Sequence, residues 1–288
     1  MVKKRLKKRS FIQRVMIVII AGVICGFILF PVAWLLITSF KSSAEVFRIP
    51  PTFWPHEFTF EPYIKTWQGK HLGGASPWGI FVLNSFKVSL PATFLTTLIS
   101  SLAGYGFARF KFPGWVILLM IILISQMFPG PALLIPISEL ISAMGLYNTH
   151  LALILLYTSF AVPFTTWLSI GNFRSIPEEL EYAAMVDGCS RIGSFFRIAL
   201  PLSRIGLITT AIFAFLMSWS EYPFALILLE RNELKTVPVG LGDYVQEFNI
   251  AFNEVGAAAI VLAIPIFVLF LLAQKYFMKG ILGGALKE

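Results

Sequence analysis

Residues 178–202 read EELEYAAMVDGCSRIGSFFRIALPL, a charged and patterned segment in a chain that is otherwise apolar enough to live in lipid. Pro177 suits the first turn of a helix, where its missing N–H costs nothing. Glu178, Glu179 and Glu181 then put negative charge at the positive end of that helix. Leu180, Ala183 and Ala184 share one face, and the two alanines keep it flat enough for another surface to approach closely. Gly188 ends the helix, as glycine commonly does. A second helix is predicted from Ile192, Phe195, Phe196, Ala199 and Leu200, an apolar stripe at helical spacing with Arg191, Ser194 and Arg197 opposite. Such a helix lies along a membrane surface with its arginines toward lipid headgroups. By pattern alone, two short helices bent at Asp187 and Gly188 serve either as a plain connector or as a surface presented for docking.

Outward from this segment the chain is hydrophobic. Of 288 residues 57% are hydrophobic and 13% charged, and the mean hydropathy is +0.79. Soluble domains carry about 25% charged residues, so this is an integral membrane protein. About 20 apolar residues cross a bilayer core, and six runs are long enough: 15–37, 88–108, 115–141, 151–173, 205–229 and 255–274. The third is interrupted by Pro129, Gly130 and Pro131, and again by Pro136. The fold predicted is all-α and polytopic, with six transmembrane helices and both termini on one side. Seven basic residues precede the first run, which is too long for a signal peptide and reads as a cytoplasmic flank. With the N-terminus inside, 16 of the 23 lysines and arginines fall on the inner side, which fixes an N-in, C-in orientation. The net charge of +8 is thus a membrane-topology signal and implies no nucleic acid. Residues 41–80, rich in proline and aromatics, form an irregular outer cap, and the mixed segment 230–254 is compatible with an outer loop that dips back among the spans.

The bent segment resembles the signature of the permease subunits of bacterial binding-protein-dependent ABC importers: E-A-A, three residues, Gly, nine residues, then I-x-L-P. Ala183, Ala184, Gly188, Ile198, Leu200 and Pro201 stand at the family spacing. Tyr182 departs from it, standing where the family usually has glutamate, with Glu181 and Glu179 nearby. The flanks IPEELE and SRIGSFFRIALPL, with SLAGYGFARFKFPG at 102–114 and SWSEYPFALILL at 218–229, resemble the carbohydrate branch, of the type of the smaller permease subunit of maltose transporters. The likeness runs from residue 11 to the C-terminus.

The resemblance implies the type I ABC importer permease fold in a bacterial inner membrane. It divides the chain into a basic N-terminus, first helix and outer segment at 1–79, a five-helix core at 80–275 with its coupling loop at 174–204, and a cytoplasmic tail at 276–288. It implies that Glu181, Ala183, Ala184, Asp187, Gly188, Ile198, Leu200 and Pro201 couple the chain to a cytoplasmic ATPase, with Gly283 and Gly284 of the tail also near it. The implied partners are a second, unlike permease subunit, two ATP-binding cassette subunits, an outer solute-binding protein and a carbohydrate. No Walker A run is present, so ATP and Mg belong to the partner ATPase and this chain binds no cofactor. His56, His71 and His150 stand in no metal-ligand motif, and Cys25 and Cys189 have no partner spacing for a metal or a disulfide framework.

Charged groups inside spans are costly and often functional. Glu221, beside Trp219 and Tyr222, is the only formal charge within the fifth run. It faces a wet pathway where it meets sugar hydroxyls, holds two spans together, or sits at the outer boundary. Gln126, before the proline-broken part of the third run, is a further pathway candidate. The competing functions are a permease for another small solute, a passive channel or scaffold, and a membrane enzyme. The last needs converging acids and histidines that the spans scarcely offer.

Overall fold

The computed structural model describes residues 11–69, 78–244 and 251–285, with the side chains of 11, 12, 14 and 275–285 excepted. Among the described residues every regular element is helical. Six of the seven N-terminal basic residues, the segment 70–77 and residues 286–288 of the tail lie outside them, as do 245–250 of the second loop. The chain divides into two compact units, one of residues 1–66 with 244–260, the other of 67–243 with 261–288.

In the first unit, α1 (Phe11–Thr38) is a 28-residue apolar helix, and no side chain in its 18-residue apolar window is buried. It is followed by α2 (Ser43–Val46) and by a proline-bound aromatic segment leading to α3 (Glu61–Gln68). Polar groups tie this segment down: Asn253 Nδ2 donates to the Lys41 carbonyl at 3.1 Å, and the Glu45 carboxylate accepts from Thr52 Oγ1 at 2.8 Å and from the His56 backbone N–H at 3.0 Å. Lys41 donates to the Thr52 carbonyl and sits over the Trp34 ring.

The second unit is built on α4 (Trp78–Arg109), 32 residues long. Its buried positions Ser85, Ser89, Ala92, Thr96, Ser100 and Gly104 recur every three or four residues, a stripe of small side chains. Small residues let membrane helices approach backbone to backbone. A Cβ on Gly104 would lie 2.5 Å from that of Ser169, and Ser100 Oγ meets Thr165 Oγ1 at 2.6 Å. Next come α5 (Trp115–Ile124) and α6 (Leu134–Ala143), then α7 (His150–Arg174), the helix that meets the α4 stripe, capped by Thr149 Oγ1. The bent segment holds α8 (Glu179–Val186), α9 (Arg191–Ser194) and α10 (Leu200–Leu202). After it α11 (Arg204–Trp219) packs on α4 and α7, its Gly206 pressed against the Asn172 amide. Then follow α12 (Pro223–Leu228), α13 (Val237–Gly242) and α14 (Phe252–Ala285). The tail expected from 276 is helical as far as Ala285 and includes Gly283 and Gly284.

Among the described residues four helices are long and apolar enough to cross a membrane: 15–38, 78–109, 150–174 and 252–274; the total reaches six if each of two bent pairs is one span. The third apolar run is one such pair, Trp115–Met127 and Gly130–Ala143, bent by 91°. Pro129 and Pro131 remove the donors that would continue the ladder. The second pair is Arg191–Leu202 and Arg204–Trp219, bent by 77°. The fifth run, expected as one helix over 205–229, is α11, a break at Ser220–Tyr222, and α12. The segment after it packs back on α4, as the mixed composition suggests: Asn84 Nδ2 donates to the carbonyls of Glu233 and Lys235 at 2.7 and 3.1 Å, and the Val237 N–H donates to Ser85 Oγ at 2.8 Å. Ile141, Leu153, Leu156, Phe224, Leu228 and Val239 close the apolar core beside it.

Candidate functional site: the bent segment and its anchor

The bend is a glycine cap. Gly188 has φ +86°, a backbone setting that costs a residue with a Cβ about 1–2 kcal/mol. The Cys189 N–H donates to the Ala184 carbonyl at 3.0 Å and the Gly188 N–H to that of Met185 at 3.1 Å, the two bonds of a Schellman motif. Ser190 then caps α9, accepting from the Gly193 N–H at 3.0 Å. Asp187 lies exposed at the turn between them.

The second helix differs from the expected stripe. Residues Phe195–Ala199 form a π turn, which widens the helix by one residue and changes which side chains share a face. Ser194, Phe195 and Ala199 are buried, whereas Ile192 and Phe196 face outward at 73% and 54% exposure. Phe195 packs on Tyr105 and Phe173, at ring separations of 4.7 and 6.1 Å. Leu200 packs against this cluster, Ile198 is half-buried and Pro201 is exposed at the turn toward α11. Arg191 lies over the Phe110 ring, 4.9 Å from its centroid.

The first helix turns Tyr182, Ala183 and Val186 outward, with Ala184 half-buried. Tyr182, in the place of the signature glutamate, donates to Glu178 Oε2 at 2.9 Å, a bond that holds its phenol above the ordinary tyrosine value. Glu181 points the other way and is the only buried residue of α8. Its carboxylate accepts from Arg109 Nε at 2.8 Å and Tyr105 Oη at 2.6 Å, and Arg109 Nη2 lies 2.8 Å from Oε1. The Arg109 and Glu181 side chains are both 5% exposed. Arg109 Nη2 also donates to the Ile176 carbonyl at 2.9 Å, and Nη1 is 3.8 Å from Glu178. One guanidinium therefore grips the chain on both sides of Pro177. Charge-assisted bonds of this kind are short and directional. Tyr105 and Arg109 were not legible as site residues in the sequence. The signal available is their spacing of four, which puts both on one face of the last turn of α4.

The pathway candidates separate. Gln126 and Glu221 line one cavity of about 320 Å³ at the two helix breaks, with Tyr157, Phe128, Phe160 and Met217. The Glu221 carboxylate accepts from Tyr157 Oη at 2.6 Å and from the backbone N–H groups of Phe224 and Ala225 at 2.8 and 3.1 Å. It thus caps α12, meeting donors that no helical carbonyl can reach. Gln126 Nε2 donates to the Phe160 carbonyl at 3.1 Å. Trp219 and Tyr222 are absent from this cavity wall. Trp219 is buried, stacks on Phe215 at 5.4 Å and donates Nε1 to the Leu262 carbonyl at 3.0 Å. The phenol of Tyr222 packs on Gly242, where a Cβ would meet its oxygen at 2.9 Å.

Comparison with known proteins places the chain. Residues 96–283 match the family described as binding-protein-dependent transport system inner membrane component. The sulfoquinovosyl glycerol transport system permease protein SmoH of Agrobacterium fabrum is 38% identical over 90% of this chain and 89% of its own. The trehalose/maltose transport system permease protein MalG of Thermococcus litoralis is 31% identical over 97% of this chain and 99% of its own. The fold matches, at TM-score 0.78 and 20% identity, a crystal structure of a bacterial ABC transporter involved in import of the acidic polysaccharide alginate, covering 93% of this chain and 99% of that one. The chain belongs to the family of binding-protein-dependent transport system inner membrane components.

Proposed function

We propose that this chain is one permease subunit of an ATP-driven importer of a carbohydrate, and that its 178–201 segment seats on a cytoplasmic ATPase. The observation that carries the reading is the glycine-capped bend of that segment, beside which Tyr182, Ala183 and Val186 form an exposed face. Ala183, Ala184 and Asp187 are its contact residues, Gly188 sets the angle, and Ile198, Leu200 and Pro201 hold the second arm at the root of α11. Glu181 couples from the inner face, through Arg109. The relatives whose names specify sugar transport support a carbohydrate substrate.

In this reading the bent pair at 115–143 is one span and α11 with α12 another, which with the four long helices gives six, and the basic residues set both termini inside. ATP and Mg are used by the partner, and a second permease, two ATPase subunits and an outer binding protein complete the machine. The cavity at Glu221 and Gln126 opens on the pathway. Its lining carries one carboxylate and no lysine or arginine, so a neutral hydroxylated ligand fits it better than an anionic one. Tagging the chain and extracting it gently from its native membrane tests the assembly. Copurification of a nucleotide-binding ATPase and a second permease is the expected result; a chain that purifies alone, folded, contradicts it.

A further inference from the structure

We propose that Tyr105, Arg109 and Glu181 are the rigid link by which movement of α8 is passed to α4, so that the two helices travel as one body when the ATPase moves. The inference rests on the docking reading above and extends it to residues that touch no partner: they are positioning residues.

The case begins with how little else holds α8. The helix has eight residues, and Glu181 is the only one buried; Leu180 and Val186 are 46% and 86% exposed. Apolar burial therefore contributes little to its placement, and non-directional contact of that kind tolerates sliding. What remains is directional. The Glu181 carboxylate is bonded to a guanidinium and to a phenol, and the same guanidinium holds the Ile176 carbonyl at the head of the helix. Both donors come from one turn at the end of α4, and both are immobilised. The Tyr105 ring is wedged between Phe173 and Phe195, at 5.5 and 4.7 Å, and the Arg109 side chain is 5% exposed. Sliding α8 by even one residue separates a buried carboxylate from its cation, which is far more costly than shifting an apolar contact.

Beyond the link, α4 runs helical from Trp78 to Arg109, about 48 Å at 1.5 Å per residue. At its other end Asn84 and Ser85 bind the backbone at Glu233, Lys235 and Val237. Along its length the Gly104–Ser169 and Ser100–Thr165 contacts lock it to α7. A displacement delivered at Glu181 thus enters a strut fastened along the whole unit, whereas one delivered only through Gly188 enters the short arm α9.

The test uses the full chain with its copurified partners in lipid nanodiscs. With Cys25 and Cys189 replaced by serine, spin labels at Val186→Cys on α8 and Leu98→Cys on α4 report the distance between the helices, without nucleotide and with ADP-vanadate trapped on the ATPase. Crosslinking from Val186→Cys to the ATPase reports docking. The link predicts one narrow distance distribution, unchanged by trapping, which broadens and shifts on trapping in Arg109→Gln. A distance that changes on trapping in the otherwise unaltered chain overturns the proposal, as does an Arg109→Gln distribution identical to the parent. If Arg109→Gln fails to assemble, Tyr105→Phe, which removes one bond and keeps the ring, decides by the same criterion with a smaller broadening. Absence of the crosslink in the parent overturns the docking reading and this inference with it; an intact crosslink with a slack link overturns the inference alone.

Discussion

Glu181 is a buried carboxylate and Glu221 a half-buried one, and each accepts a tyrosine hydroxyl at 2.6 Å, yet the rest of their surroundings differs. Glu181 faces a guanidinium supplied by another helix; Glu221 faces backbone N–H groups of its own, three and four residues on. The first arrangement binds two elements separated by 72 residues of chain. The second mends a break within one apolar run, giving α12 the acceptor its first turn lacks. The same side chain is thus an ionic joint between two distant elements in one place and, beyond its one bond to Tyr157 of α7, a local splint in the other. Only the first has a partner whose removal strands a charge.

That difference sets the size of the expected effects. Arg109→Ala leaves the Glu181 carboxylate buried without its cation, a change that costs about 3–5 kcal/mol where such pairs are broken. Thermal unfolding of the purified chain should show the largest fall in Tm here, and a fall no larger than that of Glu221→Ala would erase the distinction between joint and splint. Glu221→Ala removes one acceptor from three donors and is expected to cost about 1–3 kcal/mol. Glu221→Gln, which keeps an acceptor oxygen, should recover part of that loss in the same scan. Gly188→Val forces a β-branched residue to positive φ and is expected to cost about 1–2 kcal/mol, with Gly188→Asn closer to the parent. Hydrogen exchange at residues 186–190 reads this locally, and equal protection in the two variants would mean that the bend does not depend on φ. Smallest is Glu61→Gln, which removes an exposed i,i+4 pair with Lys65; no resolvable change in Tm is expected, because exposed pairs contribute little.

The sequence disclosed the parts whose causes are local. Gly188 at a helix end, the Pro-Gly-Pro at 129–131 and the apolar lengths of α1, α4, α7 and α14 are written in neighbouring residues, and the structure shows each as a cap, a break or a long helix. The small-residue stripe of α4 could be read in the same way. What local pattern could not supply was direction across the fold. Nothing in the run EELEYAA tells that Glu181 turns inward while Tyr182 turns outward, because the cause is Arg109, distant in sequence. The π turn at 195–199 likewise moved Ser194 into the core and Ile192 and Phe196 out of it, since a 3.6-residue period assumes a uniform helix. Trp219 and Tyr222 flank Glu221 in the chain but point to α14 and α13, while Gln126 arrives from a different break.

The most direct test of the central claim is solute uptake by the copurified assembly in proteoliposomes, with its binding protein outside and ATP trapped inside. Radiolabelled trehalose and maltose serve as first probes, followed by whichever neutral sugar the binding protein retains. Accumulation that requires internal ATP and is lost when the ATPase is removed is the result this account predicts. Solute entry that proceeds equally without nucleotide would make the chain a passive conduit and leave its bent, glycine-capped segment without a task.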